Sequence, residues 1–147
     1  MKQPAYDTCY LDMMFQKTRF LFRLMERNHL DVFETITAYM TGEYRKYMDM
    51  GNPLYLNKTP KQILGDMGYR INLKADIGQD FDEMILDWMA DIYVYMQWKY
   101  ALWSAEIVKK VKPEELYRMY HPLHEASVEN GCEKLIRRFH MYDMDSV

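Results

Sequence analysis

The stretch FDEMILDWMADIYVYMQWKYALW, residues 81–103, holds all three tryptophans of the chain, Trp88, Trp98 and Trp103, and only six charged or amide side chains. At 100° per residue, Phe81, Ile85, Trp88, Ile92, Tyr95 and Trp103 fall on one face of a helix, with Leu86, Met89, Tyr93, Met96 and Tyr100 beside them. Asp80, Glu83, Asp87 and Asp91 form an acidic stripe on the opposite side, and the same line runs on through Val94, Trp98 and Ala101. A helix this apolar needs cover on most sides. Residues 81–103 are therefore predicted to be the central helix of an all-α, single-domain helical bundle spanning 1–147.

Working outward, the spacing of Leu11, Met14, Phe15, Thr18, Leu21, Phe22 and Met25 predicts a first helix over 10–26, with Lys17, Arg19, Arg23 and Arg27 on its wet side. Asp31 with Glu34 is a capping box for a second helix, and Leu30 is placed for a hydrophobic staple. Gly42 marks a break before a helix over 43–50, which Gly51-Asn52-Pro53 ends. Thr59-Pro60-Lys61-Gln62 combines a cap, a first-turn proline and a box glutamine. Residues 65–80 carry three glycines and little periodicity and read as a loop, with one alternating piece over 69–73. Beyond the long helix, Ser104, Pro113 and Ser127 open three further helices, and 141–147 reads as a frayed acidic tail. Glu43-Tyr44-Arg45-Lys46-Tyr47 echoes residues 115–120, and Asn52-Pro53-Leu54-Tyr55 echoes His121-Pro122-Leu123-His124. These echoes suggest two pseudo-repeated helical units, 10–64 and 81–140, joined by the loop.

Composition narrows the classes. Of 147 residues, 13 are Tyr and 14 are Met, a surplus that fits either an irregular helical core or a surface that holds another protein. The formal charge of −3 lacks the basic footprint of a nucleic-acid binder. Cys9 and Cys132 lie far apart and read as buried thiols in a reducing compartment. Residues 1–11 lack the order of a signal peptide, and four acids, Gln97 and Lys99 interrupt 81–103 as a membrane span. The expected location is cytoplasmic.

No catalytic or cofactor constellation stands out. His121 and His124 are spaced for one metal on a helix, but Pro122 lies between them and no Cys or acid completes a ligand set, so His124 reads as a turn histidine bonded to nearby backbone. Glu26-x-x-His29 has bundle di-iron spacing without the required second copy. Gly65-Asp66-Met67-Gly68 lacks the glycines and the Lys-Ser or Lys-Thr pair of a phosphate loop. Lys109, Lys110, Lys112, Arg118, Arg137 and Arg138 are diluted by glutamates and read as a solvated face. Trp98, on the acidic line, either packs under a later helix or stands at the surface as a binding anchor.

One pattern reaches further: Tyr93-x-Tyr95-x-x-Trp98-x-Tyr100, then Pro113-Glu114-Glu115-Leu116-Tyr117-x-x-Tyr120-x-x-x-His124, then a closing helix through Ile136. Over residues 81–136 this resembles a group of small helical bacterial proteins encoded beside toxins of the ADP-ribosyltransferase fold, with His121-Pro122-Leu123-His124 in place of that group's more usual His-Thr ending. The resemblance implies an antitoxin-like, non-enzymatic protein without a cofactor, which neutralises an ADP-ribosyltransferase-fold toxin by occlusion. The residues expected to bind the partner are Trp98, Tyr95, Asp87, Asp91, Tyr117, Tyr120 and His124, the aromatics giving desolvated contact and the acids pairing with a basic groove. Three alternatives remain open at the level of sequence: a mobile-element or phage inhibitor of a host defence protein, a nucleic-acid-associated regulator, and an enzyme whose groups assemble only in space. A homodimer is a further candidate partnership.

Overall fold

Caps supplied by the local sequence start half of the α-helices. In the computed structural model, which describes residues 4–141, a 3-10 turn (Thr8–Tyr10) leads into ten α-helices among the described residues, with no strand. They are α1 Leu11–Arg27, α2 Val32–Thr41, α3 Glu43–Asp49, α4 Pro53–Leu56, α5 Pro60–Asp66, α6 Glu83–Tyr100, α7 Ser104–Lys110, α8 Pro113–Arg118, α9 Tyr120–Leu123 and α10 Val128–Arg138. Asp31 accepts from the Glu34 amide at 3.2 Å, and Ser127 accepts from the Asn130 amide at 3.1 Å. Thr59 and Gln62 close a reciprocal capping box at 2.9 and 3.2 Å. Each such cap is worth about 1 kcal/mol.

The cap of α7 comes from elsewhere in the chain. Trp103, not Ser104, occupies the cap position. Ser104 donates both its amide and its hydroxyl, each at 2.7 Å, to the carboxylate of Asp49 on α3. The reason lies one turn earlier, where Ala101 adopts φ 51° and ends α6 in a left-handed turn. Helical phase is lost there. Leu102 goes inward and Trp103 turns out, 47% exposed, contrary to its place on the apolar face of an uninterrupted 81–103 helix.

Helix α6 is the axis of the bundle, with 11 of its 18 residues buried. α1 packs along it, α10, α8 and α9 cover other sides, and α7 crosses between α6 and the α2–α3 pair. One cluster of buried side chains draws on residues from 10–64 and from 81–140 alike, so the two stretches share a core. Each fully buried Leu, Ile, Met or Phe in it contributes about 1.5–3 kcal/mol of transfer free energy. Cys132 is buried as expected, whereas Cys9 is exposed.

The basic residues of α1 do not face water alone. Arg19 meets Asp91, Arg23 meets Asp87 and Arg27 meets Glu83, each through Nε and Nη2 on the two carboxylate oxygens. Arginines advancing by four on α1 thus meet acids receding by four on α6, which fixes the helices as antiparallel and in register. Lys17 also turns inward, donating to the Leu56 carbonyl. Residues 67–82 carry no helix or strand, the alternating piece included, and run as a strap past the end of α1. The acidic tail from 142 onward lies outside the described residues; Met141 is fully buried.

Candidate functional site

The seven residues singled out from sequence divide between two surroundings. Trp98 belongs to the core: it is 9% exposed, and its indole N–H donates to the Tyr6 carbonyl at 2.8 Å. Tyr117 is also committed to the fold. Its ring forms an edge-to-face triad with Phe33 and Phe81 (centroids 5.0–5.7 Å apart), and its hydroxyl accepts from the Asp82 amide at 3.0 Å. Both side chains hold α6 in place, at its C-terminal and N-terminal ends, and neither offers a free anchor.

The other five gather on one side of α6. A recess of about 280 Å³ is lined by Met84, Asp87, Trp88 and Asp91 of α6, Arg19 of α1, and Tyr120 and His124 after α8. A second, of about 310 Å³, is lined by Leu11, Phe15 and Arg19 of α1, Asp91 and Tyr95 of α6, and Ser127, Val128 and Glu129 at the start of α10. Arg19 and Asp91 line both, so the two recesses adjoin across that ion pair and together make a trough. From Met84 to Tyr95 it follows three turns of α6, about 16 Å.

Its walls are built by stacking. Tyr120 lies edge-on to Trp88 at 5.6 Å and flat against His124 at 4.3 Å. His124 Nδ1 is fixed at 2.9 Å from the Tyr120 carbonyl and 3.2 Å from that of His121, the local backbone bonding read from its turn. Tyr95 tilts against Trp98 at 5.9 Å, so the buried indole supports a half-buried ring. Burial raises the Tyr95 hydroxyl above its usual pKa, and nearby Glu129 adds to the effect. The tyrosine stays neutral at physiological pH.

The floor is ionic and already matched. Burial pushes the Asp91 carboxyl up and the Arg19 hydrogen bonds pull it back; Arg19 is itself raised, first by that hydrogen bond. Asp87 and Asp91, expected to pair with a basic groove of a partner, have their oxygens engaged within the chain by Arg23 and Arg19. What the trough presents is aromatic and aliphatic: Met84 is 67% exposed at one end, and Leu11, Phe15 and Val128 are half-buried at the other. Sequence reading missed Met84, Arg19 and Phe15 as lining residues. The detectable signal was the pair of period-four stripes, basic on α1 and acidic on α6.

Among the described residues no group of three or more His, Cys, Asp or Glu side chains is arranged to hold a metal ion. No helix among them is long and apolar enough to cross a membrane. Comparison with protein families, curated proteins and solved structures finds no match.

Proposed function

We propose that this chain is a non-enzymatic binding module which neutralises another protein by covering its working surface, and that the trough along α6 is where that partner seats. The observation that supports the reading most is the gathering of Tyr95, Tyr120 and His124 around two adjoining recesses with an exposed methionine at the rim. Preordered aromatic rings bind at low entropic cost, and methionine adapts to the shape of a partner. Because the floor charges are satisfied internally, recognition rests on shape and apolar contact, with the ion pairs fixing the walls. The antitoxin-like resemblance supplies the class of partner, a toxin of the ADP-ribosyltransferase fold.

The test is co-expression with the product of the neighbouring gene, followed by affinity capture and calorimetry. Met84→Glu places a charge in the rim, and Tyr120→Ala removes the ring between Trp88 and His124. Each is expected to weaken binding at least about tenfold, on the scale of truncating one interface anchor, while far-UV circular dichroism stays unchanged. Undiminished binding by both variants removes the trough from the interface. Absence of any complex overturns the partner class.

A further inference from the structure

Glu26, in the last turn of α1, is the charge-bearing side chain that the fold hides without settling. The residue is 2% exposed, and its Oε1 has no hydrogen-bond partner among the described residues. Directly over it lies Gly78 of the strap. A side chain at 78 would run into the end of the Glu26 side chain, so the carboxyl would have to turn aside to admit one. The charged groups acting on this carboxyl are Asp80 from the strap, Glu83 from α6 and His29 from the turn after α1; the two acids disfavour its ionised form and the histidine favours it. Glu83 is itself engaged by Arg27.

The strap has few other fixings on its outer length. Asn28 clasps Asn72 through its Oδ1, which accepts from the Asn72 amide at 2.8 Å, and its Nδ2, 3.3 Å from the Asn72 carbonyl. Past Gly78 the next anchor is Phe81 in the aromatic triad. At the end of α1, Asn28 thus holds the strap by hydrogen bonds, whereas Glu26 meets it only by packing under Gly78.

We propose that the strap over residues 67–82 is a pH-gated latch, held shut while the Glu26 carboxyl is neutral beneath Gly78 and loosened when that carboxyl ionises. An unpaired carboxylate is far costlier to bury than a carboxylic acid. Opening gives the buried Oε1 water as well and moves Asp80 away. Burial, with help from the two acids, raises the Glu26 pKa above the ordinary 4.5, and opening returns it toward that value. The sign follows: the closed state holds the proton more tightly, so closure is complete below pH 4.5 and is lost as pH rises through the raised pKa. Between the two values the opening constant grows up to about tenfold per pH unit. Loosening uncovers the half-buried faces of Met67, Tyr69 and Ile71, which pack on the core.

Hydrogen exchange of the intact chain, read by mass spectrometry on peptides covering residues 67–82 from about pH 4 to about pH 8, tests the latch. With the intrinsic base-catalysed rate divided out, the strap's exchange is expected to accelerate with pH and level off, while the peptides of α6 hold constant. Glu26→Gln keeps the shape without the titration and is expected to give slow, pH-independent strap exchange. Gly78→Ala is expected to give fast exchange at every pH. His29→Asn, which suits the left-handed turn at that position (φ 57°), is expected to keep the wild-type slope. A pH slope shared by the wild type and Glu26→Gln, or no slope in the wild type, overturns the proposal. The carboxyl carbon resonance of Glu26 gives a reading that needs no variant: an inflection at the ordinary glutamate value also overturns it.

Discussion

Cutting the middle rung of the ion-pair ladder decides whether the acids of α6 serve the fold or a partner. Arg23 holds Asp87 through both guanidinium nitrogens that face it, with Nε–Oδ1 at 2.8 Å, and it keeps Glu83 within 3.9 Å. The two substitutions are therefore unequal. In Asp87→Asn the guanidinium retains Glu83 as a counter-charge, and the expected cost is about 0.5 kcal/mol, the middle of the range for partly exposed pairs. In Arg23→Gln, Asp87 loses its partner between Glu83 and Asp91, each one helical turn away, and like charges at that spacing repel; the expected cost is about 1–1.5 kcal/mol. The Arg23 side chain is 37% exposed and solvent screens it, which holds the coupling in the double-mutant cycle to about 0.5–1 kcal/mol. Urea denaturation of the four proteins measures it. In 1 M salt, where the Debye length is about 3 Å, the coupling should fall toward zero. A low-salt coupling within about 0.3 kcal/mol of zero refutes the ladder and returns Asp87 to the set of free surface acids.

Two further outcomes are expected. Tyr93 is buried and its hydroxyl donates to the Val111 carbonyl at 2.7 Å, so Tyr93→Phe leaves that carbonyl orphaned in the core. It should cost about 1–3 kcal/mol by chemical denaturation, and a cost below about 0.5 kcal/mol would mean water reaches the site. Gly65 sits inside α5 with nothing within 4 Å of an added Cβ and without a positive φ. Gly65→Ala should therefore stabilise by about 0.5–1 kcal/mol, visible as a raised urea midpoint at constant slope.

Some of this molecule was written plainly in its sequence. The helices opened by Asp31, Thr59 and Ser127 begin where short-range capping chemistry says they must, because a cap acts over three residues and needs no knowledge of the fold, and Pro113 starts another as a first-turn proline. The burial of most of α6 was legible too, since a helix apolar on most of its sides must be covered on those sides. Trp103 was lost because periodicity carries information only while the helix continues, and the left-handed Ala101 cancels the phase two residues earlier. An alanine at that turn gives no warning of it. Ser104 misled in a similar way: its hydroxyl has the chemistry of a cap, but a buried Asp49 55 residues away does the capping, and only tertiary structure brings it there.

The ladder is the most instructive miss, because its parts were all seen. Arg19, Arg23 and Arg27 read from sequence as a wet face, and Glu83, Asp87 and Asp91 as an acidic stripe of which Asp87 and Asp91 face a partner. Each reading is sound for an isolated helix, where a charged line at period four faces water. Two such lines of opposite sign, equal spacing and equal length have a better solution than solvation. Laid antiparallel they pair rung by rung, whereas a one-turn slip strands a charge at each end. The matched stripes therefore specify direction and register between α1 and α6, which apolar contact alone leaves loosely defined. The same pairing shapes the trough above it: with Asp87 and Asp91 engaged by arginines of the same chain, the surface between Met84 and Tyr95 is left mainly to rings and methyl groups.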